Sequence, residues 1–290
     1  MELLQWVGQS FSQMVMQGQT YLFLLPIYTG LLLGERLVHE RTSHRKWDDR
    51  DGATNIFITV VYLLLDVVIG HILPLGLVAI LYENFRIVTL GYTWFGWLFA
   101  FLLHDLTWYL DHRLSHRVGI LWALHHVHHS SQEFNMTVAS RGFWLDNSLA
   151  RPLFYLLPLF GVSVFHFVVI RIITSVLGIA QHTRLFPKVT WLDAFFATPS
   201  NHRVHHGSNP KYIDRNYGEI LIVWDRLFGT YQKEEEEPTY GVTEPIDTYN
   251  PFKIEVAGIQ WFLQRFRSAT NWQDKLRYLW KPPDWKHNEE

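Results

Sequence analysis

Three short runs crowded with histidine constrain this chain more than any other feature of its sequence. Seven of its sixteen histidines fall between His104 and His129, where an even spread would put about one. The first run is His112-Arg-Leu-Ser-His116, an i, i+4 pair that places both rings on one face of a helix. In the second, His125-His-Val-His128-His129, residues 125, 128 and 129 project to one side at i, i+3, i+4. The third, His202-Arg-Val-His205-His206, repeats that spacing, and a lone His182 lies between the second and third runs. Neutral imidazole binds divalent first-row metals, and one helical turn brings two or three rings to a single ion. The pair, the two triads and His182 supply nine nitrogens. A tetrahedral zinc takes at most four ligands and a catalytic zinc three, so nine fit two ions of higher coordination with positions left open. The chain has no cysteine, which excludes thiolate zinc, iron–sulfur clusters and disulfides and favours iron held by nitrogen.

Not every histidine belongs to this pattern. His126 points off the ligand face and is expected to support it or to be structural. His104 is either a further ligand or a buried polar group beside Asp105. His39, His44, His71 and His287 are expected to be ordinary surface or core residues. Asp105 sits seven residues before His112 on nearly the same face, placed to accept the second ring N–H of a ligand. Asp111, Glu133, Asp146 and Asp225 are weaker candidates for that task.

Apolar blocks surround these runs. Tyr21–Val38, about Ala53–Tyr82, Trp94–Leu110 and Leu149–Ala180 are long enough to enter a bilayer, and Trp94, Trp97, Trp108 and Tyr109 flank the third as an interfacial belt does. A break near Gly70–Pro74 makes the second block one tilted crossing or a tight hairpin, and Pro158 with Gly161 predicts a hairpin in the fourth. His166 and Arg171 in that fourth block are expected to face protein or headgroups. Arg41, Arg45, Lys46 and Arg50 place the first connection in the cytoplasm. With a single crossing in the second block, every histidine run then lies on the cytoplasmic side.

The expected fold is therefore all-α: a multi-pass membrane bundle of about four to six helices, hairpins included, under a cytosolic helical cap. It is read as one domain over residues 1–290, with a histidine core over about 94–230 and an amphipathic tail over about 250–290 that docks on the cap or the membrane. Leu3, Leu4, Val7, Phe11, Met14 and Val15 predict a further helix, on the membrane surface or packed on the protein. Glu234–Glu237 reads as a solvated loop. Net charge is −2 with no basic stripe among the aromatics, so nucleic acid is not an expected partner.

These runs resemble the histidine boxes of the fatty acid hydroxylase/sterol desaturase superfamily, over about Asp105–Thr230. Trp122-Ala-Leu-His125, Ser130-Ser-Gln-Glu-Phe-Asn135, Pro199-Ser-Asn-His202, Asn216-Tyr-Gly218 and Trp224-Asp-Arg-Leu-Phe-Gly-Thr230 resemble its alkylglycerol monooxygenase branch most. The chain departs from that branch at Arg117, where the ether-lipid enzymes carry an acid, and at Asn201 in place of a further histidine. The resemblance implies a di-iron, O2-dependent membrane enzyme that hydroxylates, desaturates or cleaves an ether bond in a lipid. It implies His112, His116, His125, His128, His129, His182, His202, His205 and His206 as metal ligands. Asn135 and Asn216 join Asp105 as candidates behind those ligands. The branch draws electrons from a tetrahydropterin; that or another external donor is expected here. A metal-dependent lipid hydrolase remains open, and so does a metal transporter, although His-Glu-x-x-His and Gly-x-Ser-x-Gly are both absent.

Overall fold

A computed structural model describes residues 20–66, 69, 74–146 and 151–287. The helix expected over Leu3–Val15 lies outside them, as does His71. Among the described residues there is no strand, only isolated bridges at Phe196–Leu221 and Gly207–Tyr240. The helices are α1 (Thr20–Thr42), α2 (Asp49–Leu65), α3 (Gly76–Phe85), α4 (Trp94–Arg117), α5 (Gly119–His129), α6 (Val164–Gln181), α7 (Pro199–His205), α8 (Pro251–Ser268) and α9 (Trp272–Trp280). Short helical turns at Thr190–Asp193 and Val223–Leu227 complete the second half.

Only α6, of the described residues, is long and apolar enough to cross a membrane by composition alone, with a mean hydropathy of 1.8 over 18 residues. Among the other long helices, α2 is 17 residues long, and α1, α4 and α8 carry charged or histidine side chains. Five of their polar groups face inward: Glu35, Asp51, Asn55, His104 and Asp105 are all buried. Leu25, Leu33, Phe57, Leu64, Phe95, Leu98 and Leu102, on the same helices, are exposed. Apolar outside and polar inside is the reverse of a water-soluble bundle.

Two connections differ from the sequence reading. The first limb of the hairpin expected over Leu149–Ala180 is a 3-10 helix, Pro152–Phe160, and Gly161 turns the chain at φ 86° before α6. Nine residues at about 2 Å each reach about 18 Å, short of a bilayer core of about 30 Å. The break near Gly70–Pro74 falls largely outside the described residues, between α2 and α3. The third apolar block, in turn, does not stop at Leu110: α4 runs unbroken to Arg117, so one rigid helix carries both the apolar face and the first histidine pair.

The tail docks on the cap. Helix α8 lies so close to α5 that a Cβ on Gly258 would stand 2.1 Å from the Ala123 carbonyl oxygen and 2.9 Å from His126 Cβ. Helix α9 closes the start of α5, where Gly119 N donates to the Lys281 carbonyl at 3.0 Å. Ala123, Phe262, Ala269 and Tyr278 form the core of this junction. Gly258→Ala is expected to force α8 off α5 and cost about 1–3 kcal/mol, lowering the melting temperature in detergent by about 3–10 °C. An unchanged melting curve would mean that this helix pair gives way freely.

Candidate metal centre

Three helix ends and two caps carry the nine histidines. Helix α4 presents His112 and His116 from its last two turns. Val118 (φ −120°, ψ 117°) breaks the helix there and reverses the chain into α5, so that His125, His128 and His129 face back at them. His182 caps the C-terminus of α6. Helix α7 is seven residues long, started by Pro199 and by Thr198, whose hydroxyl accepts from Asn201 N; it delivers His202 and His205, and His206 caps it. The rings sort into two groups, His112, His116, His125, His129 and His205 in one and His128, His182, His202 and His206 in the other. Within each group the candidate ligand nitrogens all lie within 4.8 Å of one another.

The Nε2 atoms converge closely. His112–His125 and His116–His129 are 3.1 Å apart, and His125–His129 3.3 Å. In the second group His182 Nε2 lies 2.9 Å from His202, 3.1 Å from His206 and 3.4 Å from His128. Two nitrogens held about 2.1 Å from one ion at roughly right to tetrahedral angles are about 3.0–3.4 Å apart, so this spacing suits a shared ion.

Protons make the case stronger than distance does. The Nδ1 atoms of His112, His128, His182 and His205 each face a backbone carbonyl, of Tyr217 (2.8 Å), Arg141 (2.9 Å), Gly178 (2.7 Å) and Arg215 (2.9 Å) respectively. A carbonyl only accepts, so each Nδ1 must donate, and a neutral ring then has a bare lone pair on Nε2. His128 and His182 therefore point two lone pairs at each other across 3.4 Å with no proton to share. His205 Nε2 is buried with no hydrogen-bond partner at all. Charging the rings is no remedy: burial first, and neighbouring imidazoles second, hold His125, His129, His202 and His206 well below the usual histidine range. Burial takes His128 down to about 4 against the pull of the Arg141 carbonyl. A buried set of neutral donors aimed at two common points fits two metal cations.

Of the acids and amides the sequence offered, Asp225 acts on a ring through the backbone and the others make contacts elsewhere. Asp105 does not touch His112; its carboxylate accepts from Ile220 N, Leu221 N and Trp224 Nε1 and so ties the 220–224 segment to α4. Asn135 folds its own turn, accepting from Thr137 N and Oγ1. Asn216, at φ 56°, donates to the carbonyls of Asn201 and Gln232 and accepts from Gln232 N, joining the loop to α7. Asp225 accepts from Tyr217 N and Gly218 N, which fixes the Tyr217 carbonyl on His112. Asp111 accepts from Leu153 N, Asp146 pairs with Arg151, and Glu133 lies 3.7 Å from Arg184. His126 packs beneath α8 with an unpartnered Nδ1, and His104 Nδ1 stands 3.4 Å from Glu219, outside both groups.

Five contributors carry no local sequence signal. Asp214, at φ 60°, lies 3.5 Å from His116 Nδ1 and pairs with Arg117 at 2.7 Å, so an acid does stand beside this ring although position 117 is basic. The other four are the carbonyls of Arg141, Gly178, Arg215 and Tyr217, and backbone groups of any residue type leave no trace in composition.

A cavity of about 430 Å3 opens from the helical bundle onto both groups. His112, His125, His128, His182 and His202 form its end, and Leu25, Val78, Phe154, Phe167, Ile172 and Ile179 are among its apolar walls. Trp108 and Phe143 also line it. Phe101 packs with Phe154 and Ile170 in the bundle core, and Trp144 packs edge-on to Phe252. Arg151, stacked 3.7 Å over the Trp108 ring, Arg171 and Asp146 make one part of the wall polar.

Comparison with known proteins gives the same region a family. Residues 97–230 match the model of the fatty acid hydroxylase family. The alkylglycerol monooxygenase of Xenopus tropicalis is 35% identical over 81% of this chain and 52% of its own length. That of Danio rerio is 39% identical over 71% of this chain and 46% of its own. The ornithine lipid hydroxylase OlsE of Rhizobium tropici is 33% identical over 42% of this chain and 38% of its own length. The chain thus spans about half the length, or less, of these relatives. No solved structure matches it.

Proposed function

Because residues 97–230 form a fatty acid hydroxylase family domain, we propose that this chain is a membrane oxygenase holding two iron ions in its nine histidines and oxidising a lipid with O2. The observation that carries this reading is the pair of converging, neutral, buried imidazole groups at the end of an apolar cavity. The five-ring and four-ring groups would each hold one ion with room for a further ligand. Bound iron would supply the O2 activation that no side chain can. The balance is C–H + O2 + two electrons + two protons giving C–OH and water, so an external donor, a tetrahydropterin or another, must bring the electrons. On a carbon bearing an ether oxygen the same hydroxylation yields a hemiacetal, which falls apart to an alcohol and an aldehyde. Hydroxylation, which the name of the Rhizobium relative states, and ether cleavage are thus one step on two substrates.

The protein's own contribution is positional. Backbone carbonyls fix four rings by Nδ1, which holds each Nε2 lone pair in place before any ligand arrives. The apolar walls seat a hydrocarbon chain and keep water from the reacting carbon, while Arg151, Arg171 and Asp146 offer a polar place for the head of the molecule. Outward apolar faces on α1, α2, α4 and α6 support a multi-pass membrane placement, and the basic Arg41–Arg50 segment supports a cytoplasmic metal site. The chain is proposed to act as one domain, with α8 and α9 as its C-terminal buttress.

The test is oxygen uptake by detergent-purified protein with a chemical reductant, with and without ether lipids and fatty acyl lipids. Uptake that rises with one lipid class and matches hydroxylated or cleaved product supports the reading; lipid hydrolysis that proceeds without oxygen contradicts it. Ile179→Trp, which fills the cavity beside His182, is expected to lower lipid turnover at least about tenfold while metal content stays unchanged.

A further inference from the structure

The lipid-facing side of α4 ends in arginine. Phe95, Phe99, Leu102, Leu106 and Leu110 recur at three- or four-residue steps, and Arg113 and Arg117 continue the same face. From Phe95 to Arg113 the helix rises about 27 Å, close to a hydrocarbon core of about 30 Å. If α4 crosses the membrane as proposed above, Arg113 and Arg117 enter the headgroup layer where the apolar face stops.

Beside them lies a second cleft, of about 790 Å3, between α4 and the 210–217 loop. Leu110, Leu153 and Ile213 give it an apolar side, and Arg113, Arg117 and Arg215 a basic one. Asp214 is the one carboxylate among its lining residues, and it is already paired with Arg117 at 2.7 Å. Arg113 donates to the Tyr109 hydroxyl and Arg215 to the Gly229 carbonyl, both neutral oxygens at 3.3 Å; among the described residues neither has an ion-pair partner, although the buried Asp225 carboxyl feels the charge of Arg113. None of the nine ligand histidines lines it, so an occupant does not reach the reacting atoms.

The wall of this cleft is the loop that orients the five-histidine group. Asp214 faces His116, the Arg215 carbonyl takes the His205 N–H, and the Tyr217 carbonyl takes that of His112. We propose that the cleft binds a phosphate group on Arg113 and Arg215, supplied by a membrane phospholipid whose chains lie along Leu110 and Leu153, and that its occupancy braces the loop holding these three rings. Guanidinium suits this task because it is always charged and presents paired donors to phosphate oxygens.

The experiment uses the full chain in neutral detergent, titrated with dihexanoyl-phosphatidylglycerol, dihexanoyl-phosphatidylcholine or inorganic phosphate. Bound ligand is read by native mass spectrometry and stability by thermal melting. The phosphatidylglycerol is expected to bind at least about tenfold more tightly than the phosphatidylcholine and to raise the melting temperature, both effects fading in high salt. R113Q/R215Q should lose that preference and R113K/R215K should keep most of it. An equal response to inorganic phosphate supports the anion site with a soluble phosphorylated molecule as its source. Equal binding of the two lipids, or a preference that high salt leaves intact in the native protein, overturns the proposal even where R113Q/R215Q fails to fold. A preference that a folded R113Q/R215Q retains overturns it as well. No turnover or metal enters the readout, so this result is independent of the oxygenase reading.

Discussion

Replacing His128 by alanine is expected to empty the four-histidine group, lowering its metal affinity by more than about 100-fold and ending lipid oxidation. Changes in groups that merely orient a ligand already cost about 10–100-fold in affinity, and His128 is one of only four donors in its group. His205→Ala takes one donor of five from the other group and is expected to release its ion as well, so the double variant should lose both ions. His126→Ala is the control. That ring is as buried as its neighbours but belongs to neither group, packing beneath α8 instead. Metal analysis by inductively coupled plasma mass spectrometry, with circular dichroism to verify folding, separates these cases. Equal metal loss in His126→Ala and His128→Ala would mean that the rings act through the fold and not as ligands.

Arg141→Met is expected to have the largest effect on stability, about 3–5 kcal/mol. Arg141 is 2% exposed. Its guanidinium donates to Asp51 (2.9 Å), Asn55 (2.8 Å) and Ser130 (2.8 Å), joining α2 to the end of α5. Removing one member of a buried pair leaves the other charge uncompensated, which costs more than the pair itself contributes. Methionine fills much of the volume but leaves Asp51 with only the neutral donors of Asn55 and Ser131. Adding Asp51→Asn should recover part of the loss, so the double variant melts above the sum of the singles. Because the Arg141 carbonyl also holds His128 Nδ1, the single variant should weaken the four-histidine group as well. Thermal melting of the four proteins of this cycle decides the matter, and strictly additive losses would show that Arg141 and Asp51 do not depend on each other.

Eight of the nine rings were legible in the sequence because helical periodicity sorts them: an i, i+3, i+4 set cannot avoid sharing a face, whereas the lone His182 has no periodic partner. The same logic assigned His126 to the other side of α5. Their division into five and four was not legible, since His205 and His206 are adjacent in the chain yet belong to different groups. That division depends on how α7 meets α5, a matter of packing. Asp105 illustrates a second limit. Its spacing put it on the His112 face, but the 220–224 segment offered three donors to its carboxylate, and a loop's path is not a periodic property. Asp214 and the carbonyls of Arg215 and Tyr217 escaped for the same reason. The apolar blocks behind α1, α2 and α4 fold as helices with exposed apolar residues, but among the described residues α6 alone has the length and mean hydropathy of a crossing. The 3-10 helix at Pro152–Phe160 was not, because a proline and a glycine mark a break without fixing the length of either limb.

The central claim, two iron ions held by histidine alone, is tested most directly by counting metal in the purified full-length chain. About two irons per chain, falling to none in the His128→Ala, His205→Ala double variant, is the predicted result. A single zinc per chain, with no oxygen uptake under reduction, would contradict the account and turn attention to hydrolysis.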